Sequence, residues 1–175
     1  MSKHAALSPS RAKDFKQCPL LFRFRVIDRL AEPPSPEALR GTLVHAVLER
    51  LYDLPASERT VSAALGMLPG LWEAHREGNP AVMGLFDSPG RVEAWLEEAR
   101  GLIASYFRLE NPARLEPAER ELFVQARTGS GLLLRGFIDR LDVAGDGAVR
   151  VVDYKTGRSP GPRFVEEALF QMRFY

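Results

Sequence analysis

The hydrophobic pattern of this 175-residue chain changes character at Glu119, and that change limits the folds it can adopt. Before Glu119, apolar residues recur at three- and four-residue intervals, which is typical of amphipathic helices. After it come three strand-like runs, at residues 122–124, 132–141 and 149–154. Glycine-rich turns separate these runs, which indicates that they form a meander. With one further amphipathic helix after the strands, the sequence predicts a mixed α/β fold.

Helix-start signals divide the first part of the chain. Ser8 and the proline after it predict a short helix that stops before Pro19. A longer helix is predicted from about Glu37, a weaker one over residues 61–75, and a further one from Ser88 and its following proline. The strongest apolar stripe is in the helix from Glu37 and consists of Leu39, Leu43, Val44, Val47, Leu48, Leu51 and Tyr52.

Composition excludes several classes of protein. Apolar residues make up 45% and charged residues 27% of the chain, and the formal net charge is +1, which fits an ordinary globular domain. A single cysteine, Cys18, excludes an internal disulfide framework and fits a reducing compartment. No apolar run approaches the ~20 residues of a membrane span, and the first residues contain no hydrophobic signal core. We therefore expect a cytoplasmic protein without a membrane partner.

Lys155 stands out because the chain otherwise carries most of its positive charge on arginine. Of 24 basic side chains four are lysines, and the other three lie within the first 16 residues. A compact ammonium does a different job from the planar guanidinium of arginine. Asp153 lies two residues earlier, after two valines typical of a buried strand, and residues two apart in a strand point to the same face. A metal-binding carboxylate beside an ammonium that steadies a hydroxide or a phosphate oxygen is a hydrolytic arrangement.

A second carboxylate, Asp139, ends the strand-like run that precedes Asp153. Across an antiparallel hairpin the two acids are expected to face each other, and they repel unless a divalent cation lies between them. Ligands that are all oxygen favour Mg²⁺ or Mn²⁺. The alternatives are structural ion pairs of Asp139 with Arg140 and of Asp153 with Lys155, and the residues alone leave both open.

Two further features are candidates for a functional site. His45 is the one histidine of three that lies inside a strongly periodic helix, on the flank of its apolar stripe. Gly41 lies one turn before His45, and glycine inside a helix lowers helix stability by ~1 kcal/mol relative to alanine. The close approach of a backbone or a ligand would explain why a glycine is used there. Gln171 and Tyr175 are four apart on the last predicted helix, where they can contact a nucleic-acid backbone or base. A core-edge histidine and ordinary helix-edge residues are the alternatives.

Five segments, taken in their order and spacing, resemble the RecB-like exonuclease family of the PD-(D/E)xK nuclease superfamily. They are LSPSRAKDFKQCPLLFRFRVIDRL near the start, RGTLVHAVLERLY around His45, GFIDRLD around Asp139, VVDYKTG with Asp153 and Lys155, and the Q-x-x-x-Y of Gln171 and Tyr175. The resemblance implies a restriction-endonuclease-like core with helical N-terminal decoration. It also implies a metal-dependent DNA exonuclease of repair or recombination, acting on single-stranded or unwinding DNA, with a helicase as a partner.

The resemblance implies roles for the residues of a catalytic site. The Mg²⁺ or Mn²⁺ ion would be bound by His45, Asp139, Asp153 and the backbone carbonyl of Tyr154. Lys155 would position the attacking water and stabilise the charge that builds on the phosphate. Metal-bound water loses a proton more easily, and the cation offsets charge on the scissile phosphate.

Further positions follow from the same resemblance. Gln171 and Tyr175 would contact the DNA strand, and Glu121 matches a commonly acidic position in the first strand, with Glu119 as an alternative. Many relatives carry a 4Fe–4S cluster that is bound by one early cysteine, in a context like that of Cys18, and by three cysteines near the C-terminus. This chain has no further cysteine, so either the cluster belongs to a longer native chain or Cys18 is a buried thiol.

The resemblance makes residues 1–175 a single RecB-like nuclease domain. Residues 37–54 are its core helix, residues 55–118 a helical insertion, and residues 119–175 the strand meander and the following helix. The sequence ends inside the last predicted helix without a C-cap signal. We therefore expect a longer native protein, in which this domain continues beyond the C-terminal end of the given sequence.

A non-cleaving module is the alternative function. Positive charge is concentrated in residues 11–30, a segment with six basic and two acidic side chains. Such a basic stretch on a nuclease-like fold would hold DNA or a helicase partner without cutting, with an affinity that falls as salt rises. The histidine, two aspartates and lysine of the catalytic set are all present, which favours the enzyme.

Overall fold

The computed structural model describes residues 6–157 and 169–175 of the chain. Within these residues the chain forms two compact units. The sheet unit contains residues 6–33, 119–153 and 169–175, and the helical unit contains residues 34–118 and 154–157. The boundary between the units falls between Asp153 and Tyr154, inside the segment that the sequence singled out.

The sheet unit begins with a capped helix. Helix α1 spans Pro9–Gln17, and the hydroxyl of its N-cap residue Ser8 accepts a 3.3 Å hydrogen bond from the amide of Arg11. This confirms both the predicted helix and its predicted end. The chain then continues into helix α2, Pro19–Phe22, and a short π-helical segment, Arg23–Ile27, which the sequence patterns did not predict.

Three antiparallel strands form the sheet, in the order β1-β2-β3. They are β1 at Glu119–Arg127, β2 at Leu133–Val143 and β3 at Val149–Val152. Each predicted strand-like run lies in one of them, and the meander is confirmed. Helices combined with this sheet confirm the predicted mixed fold class. A single parallel bridge joins Leu7 to Leu134 of β2.

Two strand boundaries differ from the prediction. Strand β2 continues to Val143, so Asp139 lies inside it rather than at its end. Strand β3 ends at Val152, so Asp153 and Lys155 follow the strand instead of projecting from it. The prediction that strand alternation aligns these two side chains was therefore wrong, because their backbone is no longer paired with β2.

Strand β2 is the central strand, and its residues alternate in burial. Ile138 and Arg140 are 6% and 0% exposed, whereas Arg135 and Phe137 are exposed. Arg140 donates to both carboxylate oxygens of Asp142, at 3.0 and 3.2 Å. Since neighbouring strand residues point to opposite faces, the odd-numbered residues of β2 form its open face.

Three long helices make up most of the helical unit. They are α3 at Pro36–Leu51, α4 at Val61–Gly78 and α5 at Pro89–Leu109. The side chains of Ser35 and Thr60 cap α3 and α4 by accepting backbone amide hydrogen bonds of 3.1 Å each. The predicted helices are confirmed within a few residues at each end.

The core of the helical unit is the apolar face of these helices. The stripe predicted for α3 is buried as a whole, with Val47 and Leu51 fully enclosed. Trp72 of α4 and Trp95 of α5 meet in the same core with ring centroids 5.2 Å apart. Short 3₁₀ turns connect the elements at Ala56–Glu58, Pro80–Leu85 and Pro112–Arg114.

The last described segment, residues 169–175, is mostly turn. The helix predicted around Phe164 to Met172 lies largely outside the described residues. Where the segment is described, Gln171 lies in a turn and Tyr175 has no helical backbone, so their placement four apart on a helix was wrong. Among the described helices, none is long and apolar enough to cross a bilayer.

Candidate metal centre and nuclease site

The pairing of β2 with β3 determines where two acidic residues of the sheet unit lie. The last pair in the register is Arg140 with Val152. Asp139 precedes Arg140 on β2 and Asp153 follows Val152 at the end of β3, so both acids lie one position beyond this last pair. Both residues are partly buried.

A third acid approaches Asp139 from the other side. In the β1–β2 register Arg120 pairs with Arg140 and Leu122 pairs with Ile138, so Glu121 lies opposite Asp139. Carboxylate oxygens of Glu121 and Asp139 lie within 4.8 Å of each other. Glu119 pairs with Leu141 instead. Of the two glutamates left open by the sequence, the register therefore favours Glu121 as the neighbour of Asp139.

Glu121 has an unusual backbone for a strand residue. Its φ angle is +45°, in the left-handed region that residues other than glycine rarely adopt. The register has the same offset before and after Glu121, so the strand contains no inserted residue there. Such a local strain is tolerated where the surrounding structure holds it, and strained residues cluster at functional sites.

Gln171 and Tyr175 are fixed against this group of acids. The side-chain amide of Gln171 donates a 2.6 Å hydrogen bond to Oδ1 of Asp153, and the hydroxyl of Tyr175 donates a 2.5 Å hydrogen bond to the carbonyl of Phe137. Their placement beside the acids comes from these contacts, since the segment is not helical there. The two residues thus hold the acidic group as well as lying close to it.

Gly136 makes room for the ring of Tyr175. A Cβ atom at residue 136 would lie 2.6 Å from a ring carbon of Tyr175, which is closer than van der Waals contact allows. Burial raises the pKa of the Tyr175 hydroxyl, and the negative charges of Asp153 and Asp139 add to the effect. The hydroxyl therefore stays protonated and remains a hydrogen-bond donor at neutral pH.

In the helical unit, His45 of α3 contacts the residue that follows Asp153. Its Nε2 atom lies 2.9 Å from the backbone carbonyl oxygen of Tyr154. The rings of His45 and Tyr154 are perpendicular, with centroids 5.9 Å apart, and Tyr154 packs in the same way on Tyr106. Packing in the core therefore fixes both the imidazole and the carbonyl.

Gly41 is explained by a close approach in the same unit. A Cβ atom on residue 41 would lie 3.1 Å from Oγ1 of Thr156, a contact that is tighter than usual. The approaching group is a side-chain hydroxyl, not the backbone or ligand that the sequence led us to expect. Helix α3 thus carries a glycine where the segment that contains Lys155 passes, and Lys155 itself is exposed.

Cys18 lies at the surface. It ends α1, precedes α2 and is exposed, so the expectation of a buried thiol was wrong. With one cysteine in the sequence, the chain does not itself supply the four thiolates of a 4Fe–4S cluster.

The basic stretch of residues 11–30 is partly neutralised by its own acids and by Glu32. Arg25 donates to Asp14 at 2.8 Å and to Glu32 at 2.5 and 2.7 Å, and Arg23 contacts Asp28 at 3.2 Å. Charge that is engaged in these pairs is less available to phosphates. The basic stretch therefore gives weaker support to a non-cleaving DNA-binding module than its composition suggested.

The donor set of the sheet unit fits a hard divalent cation. Glu121 and Asp139 hold carboxylate oxygens within 4.8 Å of each other, and Asp153 follows the last residue of β3 that pairs with β2. Like charges at such separations repel, and a cation with oxygen ligands relieves this repulsion. All three donors are oxygens, which is the chemistry that Mg²⁺ and Mn²⁺ prefer.

The fold and these residues define a class of protein. Residues 6–175 match the PD-(D/E)XK nuclease superfamily, and because the match covers nearly the whole chain, the protein belongs to this superfamily. Its members are generally nucleases that use divalent metal ions. The helices and the three-stranded antiparallel sheet are consistent with the restriction-endonuclease-like fold of the superfamily.

A curated relative is a phage protein. The chain is 28% identical over 178 residues to the "Gene 69 protein" of Mycobacterium phage D29, an alignment that covers 90% of this chain. The chain spans 64% of the length of that relative.

Sequence patterns missed several residues around the site. Gly136 begins the GFIDRLD segment, but no role was predicted for it. A glycine inside a strand indicates the close approach of another group. The left-handed backbone of Glu121 has no sequence signal, because glutamate is ordinary in strands and turns alike. Thr156 and Gly41 are 115 residues apart in the sequence, so no local pattern could predict their close contact.

Proposed function

We propose that this protein is a metal-dependent DNA nuclease of the RecB-like branch, and that it acts as an exonuclease in DNA repair or recombination. The observation that carries the proposal is that Glu121 of β1 lies opposite Asp139 of β2, with Asp153 directly after the end of β3. Lys155 follows Asp153 by two residues, in the order that the D-x-K part of the superfamily motif requires. The substrate is single-stranded or unwinding DNA.

Asp139 and Asp153 are the proposed metal ligands of the sheet unit, with Glu121 as a further carboxylate. When bound there, a divalent cation would supply a more acidic water molecule and a positive charge beside the scissile phosphate. Gln171 holds one oxygen of Asp153, which leaves the orientation of that carboxylate defined.

His45 and the Tyr154 carbonyl are proposed as ligands as well. Their donor atoms are 2.9 Å apart. A carbonyl oxygen only accepts, so this contact is a hydrogen bond that Nε2–H donates, and a cation bound by both atoms would replace that proton. Neutral imidazole nitrogen and backbone carbonyl oxygen are both accepted by Mn²⁺.

Lys155 is the proposed positioning group for the attacking water. Its exposed ammonium donates hydrogen bonds but cannot accept them, so it can orient a water oxygen or hydroxide and stabilise a phosphate oxygen. Attack of that oxygen on phosphorus breaks the bond to the leaving sugar oxygen, which then takes up a proton. Arginine would spread the same charge over a planar fork with a different geometry.

Nuclease assays with Mg²⁺ or Mn²⁺ test the proposal. Asp153→Asn and Lys155→Ala are expected to lower the rate of DNA cleavage on the order of 100-fold or more. Asp146→Asn is the matched control, because Asp146 lies in the β2–β3 turn and an asparagine keeps its 3.0 Å acceptor role toward the amide of Ala148. Cleavage that is unchanged in both site variants would refute the nuclease assignment.

Circular single-stranded DNA separates exonuclease from endonuclease action. An exonuclease needs a strand end, so linear strands should be degraded while circles of the same sequence remain intact. Degradation of the circles would refute the exonuclease assignment and leave the nuclease in place. DNA binding without any product in Mn²⁺, in contrast, would identify the alternative, a module that holds DNA or a helicase partner.

Mn²⁺ calorimetry tests the ligands without any dependence on turnover. Binding to the wild-type protein should be weakened by Asp139→Asn, by Asp153→Asn and by His45→Ala. Loss of binding in the aspartate variants alone would remove His45 from the ligand set. No iron–sulfur cluster is assigned to this chain, because it has one cysteine.

A further inference from the structure

Two phenylalanines form an exposed aromatic pair on the open face of the sheet. Phe123 of β1 and Phe137 of β2 are paired in the register, with ring centroids 5.2 Å apart and ring planes at 54°. They are 48% and 56% exposed. Side chains of this size are usually buried, and a contiguous pair that remains in water marks a binding surface more often than a single exposed ring does.

The aromatic pair borders a cavity with positive charge. The cavity has a volume of about 630 Å³ and is lined by Ser8, Ser10, Arg11, Phe123, Arg135, Gly136, Phe137, Gln171 and Tyr175, together with Pro9. Two arginines and no acidic residue are among these lining residues. The combination of exposed rings with guanidinium groups suits a ligand that has both flat apolar faces and negative charge.

The cavity is continuous with the acidic site along β2. Arg135, Phe137 and Asp139 occupy successive positions on the same face of the strand. Phe137 is about 6.6 Å along the strand from Asp139, given the rise of ~3.3 Å per residue. Gln171 and Tyr175 line the cavity and also bond to Asp153 and to the backbone of Phe137.

We propose that this cavity binds single-stranded DNA, with bases stacked on Phe123 and Phe137 and with Arg11 and Arg135 at the adjacent phosphates. The proposal rests on the proposed nuclease function and names the residues that would hold its single-stranded substrate. Base faces stack on aromatic side chains only when they are released from a duplex, where neighbouring base pairs cover them. The stacked nucleotides would thus flank the phosphate that lies at Asp139.

The test measures binding in EDTA, so that the DNA stays intact. The probe is a fluorescein-labelled single-stranded oligonucleotide of roughly 16 nucleotides, compared with its duplex form. Phe123→Ala and Phe137→Ala are each expected to weaken binding of the single strand about tenfold. Arg135→Gln is expected to reduce the slope of log affinity against log salt concentration by about one, which corresponds to the loss of one phosphate contact.

A matched control comes from the same sheet. Val143 and Val149 are also a cross-strand pair of exposed apolar residues, 50% and 61% exposed, at the far end of the β2–β3 hairpin. Val149→Ala removes exposed apolar surface from a strand without touching the aromatic pair. It should leave DNA affinity unchanged.

A second measurement uses the wild-type protein and does not depend on whether the variants fold. Oligonucleotides with one base removed at successive positions should lose affinity for the wild-type protein at one or two positions. Equal affinity for intact and base-free strands, or equal affinity for duplex and single strand, would overturn the stacking proposal. Suppose that the wild-type protein cleaves DNA in Mn²⁺ and that both phenylalanine variants bind the single strand with the wild-type affinity. In that case the cavity assignment fails and the nuclease assignment stands. A wild-type protein that neither binds nor cleaves DNA would refute both.

Discussion

The side-chain amide of Gln171 donates a hydrogen bond to Oδ1 of Asp153 at 2.6 Å, across 18 residues of sequence. Tyr175, four residues later, bonds to the carbonyl of Phe137. The Q-x-x-x-Y pair therefore contacts both Asp153, which directly follows β3, and β2, the strand that carries Asp139. In metal sites, groups that orient a ligand in this way contribute to affinity almost as the ligands do.

Gln171→Ala should weaken Mn²⁺ binding 10- to 100-fold, because Asp153 loses the donor that orients its carboxylate. Calorimetry of the metal alone measures this effect, with Gln125→Ala, an exposed amide on β1, as the control. If Gln171 acts only by contacting DNA, the KM for DNA will rise while the metal affinity stays the same. That result would contradict the positioning role.

Gly136→Ala should destabilise the protein by about 1–3 kcal/mol, because its Cβ atom would overlap the ring of Tyr175. Urea unfolding measures the free energy of unfolding. The cost should largely disappear when Tyr175→Ala is already present, since the overlap is then relieved. An equal cost in both backgrounds would mean that Gly136 is needed for its backbone and not for the close approach.

Gly41→Ala should gain less stability than Gly101→Ala, although both glycines lie inside helices. At Gly101 of α5 a Cβ would meet no atom of the described residues within 4 Å, so alanine should stabilise by up to ~1 kcal/mol. At Gly41 the same gain is offset by the contact with Thr156. Gly41→Ala should also lower nuclease activity, because it displaces the segment of Lys155, whereas Gly101→Ala should not. Equal stabilisation and unchanged activity would contradict this view.

Arg59→Ala should cost roughly 2–4 kcal/mol of stability, because it leaves buried carbonyl groups without a donor. The guanidinium is almost fully buried and donates to the carbonyls of Leu54 and Leu115 at 2.8 and 2.6 Å. Its partner Glu116 is 79% exposed, so Glu116→Ala should cost less than ~1 kcal/mol. Thermal unfolding of the two variants compares them, and similar losses would show that the ion pair dominates.

The pKa of Glu32 is lowered chiefly by the hydrogen bond from Arg25. A carboxyl whose pKa is lower in the folded state stabilises the fold above its unfolded pKa of about 4.3, and that contribution is lost as the pH falls through the folded pKa. In an NMR titration Arg25→Gln should raise the pKa of Glu32 toward its ordinary value. Arg29→Gln, which removes a nearby charge, should have a smaller effect. Equal effects would assign the shift to general charge and not to the hydrogen bond.

Local sequence patterns predicted much of the fold and part of the candidate site. Periodicity located α3, α4 and α5, since each helix must bury an apolar stripe. Proline and serine at helix starts fixed the beginnings of α1 and α5 within a residue. The placement of Asp139 and Asp153 one position beyond the last β2–β3 pair could be approached from the sequence, because a meander with short turns leaves one register for these strands. The end of β3 was placed two residues too late, since apolar and aromatic residues continue beyond the last paired position.

The sequence by itself determined which chemistry is available: the acids, the histidine, the lysine and the order in which they occur. Only the tertiary structure decided which groups meet. It set Glu121 rather than Glu119 opposite Asp139, it brought Tyr175 onto Gly136, and it left residues 170–174 in turns. The physical reason is that helices and strands are selected by neighbours a few residues apart, whereas these contacts depend on register and packing between distant segments.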